Sequence, residues 1–70
     1  MITLNEIQKR LAQAIKENGI SQTELAKKIN VKQPTISHYI KGDKMPALDT
    51  FANLCIALDL DANEILGITK

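Results

Sequence analysis

The sequence predicts an all-α fold, a compact bundle of five short helices in one domain spanning residues 1–70. Apolar residues recur at helical spacing along most of the chain, and no alternating apolar and polar run is long enough to indicate a strand. Three segments begin with the residue pattern of a capped helix N-terminus. A length of 70 residues and an apolar content of 44% are typical of a single small globular domain.

The first helix is predicted to follow a capping box, Thr3-x-x-Glu6, and to stop at Asn18-Gly19. Its spacing places five apolar residues on one inward face: Leu4, Ile7, Leu11, Ala14 and Ile15.

Two short helices joined by a tight turn are predicted over about residues 22–41. Ser21-x-x-Glu24 is a second capping box, and Asn30 tolerates the left-handed conformation needed after the first of these helices. Pro34 fits only the first turn of the next helix, which ends at Gly42. The side chains expected to point inward around the turn are Leu25, Ala26, Ile29, Val31, Ile36 and Tyr39.

A fourth helix is predicted after the loop of residues 42–46, and a short fifth helix follows Asp61-x-x-Glu64 and ends at Gly67. Cys55, the only cysteine, is expected in the core. A lone cysteine cannot form an internal disulfide, which fits a reducing cytoplasm. The apolar residues of the fourth helix are Leu48, Phe51, Ala52, Leu54, Cys55 and Leu58.

The charge is distributed unevenly, although the net charge is only +1. Residues 1–44 hold eight basic and four acidic side chains, a net charge of +4, and residues 45–70 hold one lysine and four acids, a net charge of −3. This asymmetry favours one surface that meets an anionic partner.

Several classes of protein are disfavoured by the composition. No apolar stretch approaches the ~20 residues of a membrane span, and residues 1–5 lack the features of a signal peptide, so we expect a cytoplasmic protein. The single histidine and the absence of a Cys/His cluster predict no metal and no cofactor. The acids at residues 59 and 61 flank a helix cap rather than a cleft, so no enzymatic activity is expected.

A specific set of segments carries a family resemblance: ISQTELAKKI at 20–29, QPTISHY at 33–39, Gly42, Pro46, ALDL at 57–60 and IL at 65–66. Together they resemble the lambda-repressor-like helix-turn-helix family, also called the Cro/repressor or xenobiotic-response-element group, over about residues 4–67. The resemblance implies a bacterial or phage transcriptional regulator whose third helix reads the major groove, usually from a homodimer on a palindromic operator. Repression is the simpler prediction, because it requires only occupancy of the DNA.

The sequence departs from the family pattern at three places. Asn30 replaces the usual turn glycine, and Lys32 replaces the usual Ser or Thr before the third helix, where it is a poorer cap. Ile15 and Ile40 stand where many relatives have a buried Arg–Glu pair. We expect an apolar contact there in its place, and such a replacement is often neutral or stabilising by ~1–4 kcal/mol.

The polar side of the third helix supplies the candidates for base readout: Gln33, Pro34, Ser37 and His38. The amide of Gln33 donates and accepts together, which suits the N6/N7 edge of adenine. The ring of Pro34 can pack on a thymine methyl group. Ser37 and His38 lie one turn further along, and each can reach a base edge or a phosphate.

A second set of residues is predicted to contact the DNA backbone: Gln22, Lys32, Thr35, Lys41 and Lys44. Gln22 matches a phosphate contact of the family, and the three lysines are suited to salt-sensitive phosphate contacts. Two other roles are open for Thr35: a contact with a base, or packing at the start of the helix.

The alternative function is a protein-interaction module, such as an antitoxin or antirepressor built on the same fold. The near-neutral net charge and the acidic second half favour this alternative. Exposed apolar residues would then contact a protein partner or form a symmetric homodimer that places the two third helices about 34 Å apart. The candidates for that surface are Ile56, Leu60, Ile65 and Ile68.

Overall fold

The computed structural model describes residues 1–68, so the last two residues of the domain predicted over 1–70 lie outside the described residues. Its elements are α1 (Leu4–Asn18), α2 (Gln22–Lys28), α3 (Gln33–Lys41), α4 (Leu48–Leu58) and α5 (Ala62–Leu66). Residues 1–68 contain no strand, so the prediction of an all-helical fold with five helices is confirmed. None of these helices is long and apolar enough to cross a bilayer.

The predicted capping boxes form to different extents. Before α1, the Thr3 hydroxyl accepts from the Glu6 N–H and the Glu6 carboxylate accepts from the Thr3 N–H, both at 3.2 Å. Before α2, the Ser21 hydroxyl accepts from the Glu24 N–H at 3.1 Å. Before α5, the Asp61 carboxylate accepts from the N–H of Asn63 at 3.0 Å, whereas the sequence pattern had indicated the N–H of Glu64. A side-chain N-cap typically contributes about 1 kcal/mol.

The core is formed by one apolar cluster to which all five helices contribute. α1 packs against both α3 and α5, and α2 packs against α3. Burying one Leu or Ile side chain completely contributes roughly 1.5–3 kcal/mol. The cluster contains Leu11, Ile15, Leu25, Ala26, Ile29, Ile36, Tyr39, Phe51, Leu54, Cys55, Leu58 and Ile65.

Three apolar residues of the predicted helices are exposed, among them Leu4, which was predicted to face the core. Leu4 and Leu48 are the first residues of α1 and α4, and they are 61% and 85% exposed because the opening turn of each helix lies beyond its packing partners. Ala52 is exposed because the inner stripe of α4 consists of residues 51, 54, 55 and 58. On α1, Ala12 is buried although the predicted face did not include it.

The turn between α2 and α3 has the predicted conformation. Asn30 adopts the left-handed region with φ of 58°. The N–H of Val31 then returns to the carbonyl of Ala26 at 2.9 Å, which closes the end of α2. This reversal lets α3 begin at Gln33, with Pro34 in its first turn as predicted.

The two positions at which the family resemblance implies an ion pair are apolar in the structure. Ile15 is 2% exposed inside the core, and Ile40 is partly buried against the same cluster. No Asp, Glu, Lys, Arg or His belongs to the buried residues of the described chain. The link between α1 and α3 therefore requires no desolvated charge.

A contact between α1 and α5 was not visible in the sequence. The Arg10 Nε donates to the carbonyl oxygen of Ile65 at 2.7 Å. This carbonyl lies in the last turn of α5, where a cation is favoured by unpaired acceptors and by the helix dipole. At Gly67 a side chain would collide with the guanidinium, because a Cβ there would lie 2.6 Å from the Arg10 Nη2. Arg10 thus fixes α5 against α1.

Candidate nucleic-acid interface

The outer face of α3 is polar and accessible. Ile36 and Tyr39 turn inward and are 0% and 5% exposed, so the opposite side of the helix faces solvent. The structure brings most of the predicted base-reading residues to this side. The exposed members are Gln33, Pro34, His38 and Lys41, and the partly buried members are Thr35 and Ser37.

A side-chain hydrogen bond joins the starts of α2 and α3. The Gln33 Nε2 donates to the Gln22 Oε1 across the turn. The bond occupies one Nε2 hydrogen of Gln33 and leaves its other hydrogen and its carbonyl oxygen for a further partner. Gln22, predicted as a backbone contact, therefore also orients the residue predicted to read adenine.

The end of α3 contains a second polar pair, which the sequence analysis missed. The His38 Nδ1 lies 2.9 Å from the Asp43 Oδ1. The two side chains are 51% and 55% exposed, so the pair is open to solvent. The five-residue separation is not a helical spacing, and only the reversal of the chain at Gly42, with φ of 78°, brings the carboxylate back to the helix.

The predicted backbone contacts lie at both ends of α3. Lys32 precedes α3 and makes no side-chain cap, as expected, and its carbonyl accepts from the Thr35 N–H at 3.0 Å. Lys41 ends the helix, and Lys44 follows in the loop. All three lysines are exposed, whereas Gln22 and Thr35 are partly buried.

The apolar residues predicted for a protein interface are not all available. Ile56 and Ile68 are 79% and 54% exposed, and Leu60 is partly buried. The inclusion of Ile65 was wrong, because its side chain is 7% exposed within the core. The packing of α1 on α5, reinforced by the hydrogen bond of Arg10, covers it.

The described residues show no metal centre. Within residues 1–68, no three His, Cys, Asp or Glu side chains lie close enough together to hold an ion.

Two short helices, α2 and α3, flank the turn at Asn30, and the outer face of α3 is polar. This arrangement defines a helix-turn-helix DNA-binding domain. The family model described as helix-turn-helix matches residues 11–65. The chain therefore belongs to the Cro/C1-type helix-turn-helix family, a family of DNA-binding regulatory proteins. The resemblance noted from the sequence is confirmed.

Two curated relatives are similar over the same region. They are the proteins named antitoxin HipB from Escherichia coli O6:H1 (strain CFT073) and from Escherichia coli K12, each 42% identical over 55 residues. The match covers 73% of this chain, and it spans only 58% and 62% of the relatives' own lengths. No solved structure matches significantly.

Proposed function

We propose that this chain is a sequence-specific double-stranded DNA-binding repressor that acts at the nucleoid, with α3 in the major groove. The observation that carries the proposal is the hydrogen bond between Gln22 and Gln33 at the exposed start of α3. It orients an amide at the helix start, the part of a recognition helix that meets base edges.

The proposed base contacts follow the exposed side of α3. Gln33 pairs with adenine through its remaining donor and acceptor, and Pro34 packs on a neighbouring thymine methyl group. Ser37 and His38 contact the next base pairs, one helical turn along. One good bidentate contact discriminates against a wrong base by about 1–3 kcal/mol.

The proposed backbone contacts flank this row and set the register of the domain on the DNA. Lys32, Lys41 and Lys44 are exposed around α3 and neutralise phosphates, and Gln22 and Thr35 contribute hydrogen bonds. Each phosphate neutralised releases counterions, so the binding constant should fall steeply with salt.

The proposed assembly on DNA is a homodimer that binds a palindromic operator. Ile56, Leu60 and Ile68 supply accessible apolar area away from α3. An isologous interface there would present two copies of α3 to successive major grooves about one DNA turn apart.

The test is selection from randomised duplex DNA with the wild type, Gln33→Ala and Gln13→Ala. Gln13 is a matched control, because it lies exposed on α1 and its Nε2 donates to a Glu17 carboxylate oxygen at 3.2 Å. A palindromic motif retained by Gln13→Ala and lost or relaxed in Gln33→Ala supports the proposal. Folded wild type that enriches no motif at low salt contradicts it.

A second candidate function is that of an antitoxin, which the names of the two relatives favour. A groove lies between α4 and the turn that follows α2, and it is lined by both apolar and polar residues. The exposed Ile56 is at its edge. Its lining residues are Lys28, Ile29, Asn30, Asn53, Ile56 and Ala57.

This second candidate is tested by affinity purification of the intact chain from its own cells. A stoichiometric protein partner that Ile56→Asp loses and Gln33→Ala keeps would support docking in the groove. A partner retained equally by both variants would contradict docking there.

A further inference from the structure

We infer that Asp43 is a positioning residue for base readout: its carboxylate holds the imidazole proton of His38 on Nδ1, so that Nε2 meets the DNA as a hydrogen-bond acceptor. The inference rests on the proposed function and adds the class of base that the second turn of α3 selects. Asp43 is then a determinant of base specificity, although it is an acidic residue beside anionic DNA.

The tautomer follows from the chemistry of the pair. The Asp43 Oδ1 lies 2.9 Å from the His38 Nδ1, a hydrogen-bonding distance. An ionised carboxylate only accepts hydrogen bonds, so the proton must sit on Nδ1. In a neutral imidazole the other nitrogen, Nε2, then carries a lone pair.

The backbone holds the carboxylate in place. Gly42 has φ of 78°, and its N–H donates to the His38 carbonyl at 3.0 Å. The Asp43 N–H donates to the same carbonyl at 3.3 Å. His38 and Asp43 are therefore joined twice, by a backbone bond and by a side-chain bond, and the left-handed residue between them is a glycine, which adopts this conformation without steric cost.

The position of the proton decides which base edges His38 accepts. An Nε2 lone pair can receive a hydrogen bond from the exocyclic amino group of cytosine or adenine, and it is repelled by the O6 and N7 acceptors of guanine. Without Asp43, the ring can move its proton to Nε2 and donate to guanine. Loss of Asp43 should therefore add guanine to the bases tolerated at that position.

The pair is suited to orientation more than to stability. Both side chains are about half exposed, and a polar pair that is open to solvent contributes little to the stability of the fold. Asp43→Ala should thus fold like the wild type, and its effects on recognition can be measured without loss of structure.

The first experiment determines the tautomer directly by ¹⁵N NMR of the His38 ring in the free protein. The same spectrum identifies the neutral form of the ring. The wild type should show a protonated Nδ1 and an unprotonated Nε2. Asp43→Ala should shift the ring toward a protonated Nε2. An unchanged spectrum in Asp43→Ala, or a wild-type ring protonated on Nε2, would overturn the inference.

The second experiment repeats the DNA selection with wild type, His38→Ala, Asp43→Ala and Lys44→Ala. In each half-site, His38→Ala should leave one position unselected. At that position, Asp43→Ala should raise the ratio of guanine to the sum of cytosine and adenine by about fivefold or more. Lys44→Ala is the control, because loss of a phosphate contact weakens all sequences alike.

The outcomes separate the two proposals. A wild type that selects no motif overturns the proposed function, and with it the readout by His38, while the NMR result still reports the tautomer. A wild-type motif that is the same in Asp43→Ala overturns this inference alone.

Discussion

The outer faces of α3 and α4 are built on the same core and differ in almost every surface property. α3 exposes the amide of Gln33, the imidazole of His38 and the ammonium of Lys41, whereas its residues Ile36 and Tyr39 are buried. α4 exposes Leu48, Ala52 and Ile56, four residues apart, and Leu48 and Ile56 are 85% and 79% exposed. The two faces therefore suit different partners, a hydrated polyanion and an apolar surface that excludes water.

The comparison also shows what is shared. α1 packs against α3 and against α5, so it supports both halves of the chain. Changes inside α1 should therefore damage the whole domain, whereas changes on the two outer faces should damage one interaction each.

The largest effect is expected from Ile15→Arg. The variant buries a charge that has no partner, because position 40 is isoleucine, and an uncompensated buried charge costs about 3–5 kcal/mol. Small domains are stable by only about 5–15 kcal/mol, so both faces should be lost together. Urea unfolding measures the change, with Ile15→Val as the mild control at about 0.5–1.5 kcal/mol.

The same position provides its own rescue. Ile15→Arg combined with Ile40→Glu introduces the charge pair that the family resemblance implies at these positions, and it should regain part of the lost stability. A double variant no more stable than Ile15→Arg alone would show that these two positions are not coupled across α1 and α3.

A smaller loss of stability is expected from Arg10→Met. It removes the hydrogen bond from Nε to the Ile65 carbonyl at 2.7 Å while keeping the apolar length of the side chain, and we expect a loss of about 1–3 kcal/mol. Lys9→Met is the control, because Lys9 is exposed on the same helix. Equal urea midpoints for the two variants would show that Arg10 does not fix α5.

The α4 face is tested by Ile56→Asp, which should change stability by less than about 0.5 kcal/mol because the side chain is 79% exposed. If the proposed homodimer uses this face, analytical ultracentrifugation should nevertheless show a shift from dimer to monomer. Asn53→Asp adds the same charge to α4 without removing apolar area and should leave the dimer intact. A dimer that survives Ile56→Asp would place the interface elsewhere.

The smallest effect is an alkaline loss of stability. Burial, with a further contribution from Asp61, raises the pKa of the Cys55 thiol, and burial, with a contribution from Asp49, raises the pKa of the Tyr39 hydroxyl. The unfolded chain then releases these protons first, so the contribution of these two groups to stability should be constant below about pH 8 and fall as the pH rises above the unfolded thiol pKa of about 8.5.

Urea midpoints between pH 7 and 10.5 measure this loss. Cys55→Ala should flatten the earlier part of the decline, and Tyr39→Phe the later part. A slope unchanged in Cys55→Ala would show that the thiol does not contribute.

Local features of the fold could be predicted well from the sequence. The capping residues Thr3 and Ser21 act within three residues of themselves, and the left-handed turn at Asn30 depends on its own side chain. Periodicity indicated the inner face of α1 but not where that face ends, which explains why Leu4 was misplaced. Periodicity shows in which direction a side chain points from the helix axis. Tertiary packing decides whether a neighbouring element covers that side chain.

The missed contacts share a different cause. Arg10 and Ile65 are 55 residues apart, and His38 meets Asp43 only through the reversal at Gly42. No periodic pattern encodes either pair. The candidate reading face itself was predictable, because Gln33 and His38 lie opposite the apolar residues of α3, but the partners that orient these side chains were not.

The burial of Cys55 turns the only thiol of the chain into a chemical reporter of opening. Its side chain is 8% exposed, so an alkylating reagent should reach it only when α4 separates from the core. A ligand that binds only the closed form lowers the labelling rate in proportion to its occupancy. The rate at which one sulfur is modified would therefore report DNA affinity with neither molecule carrying a dye.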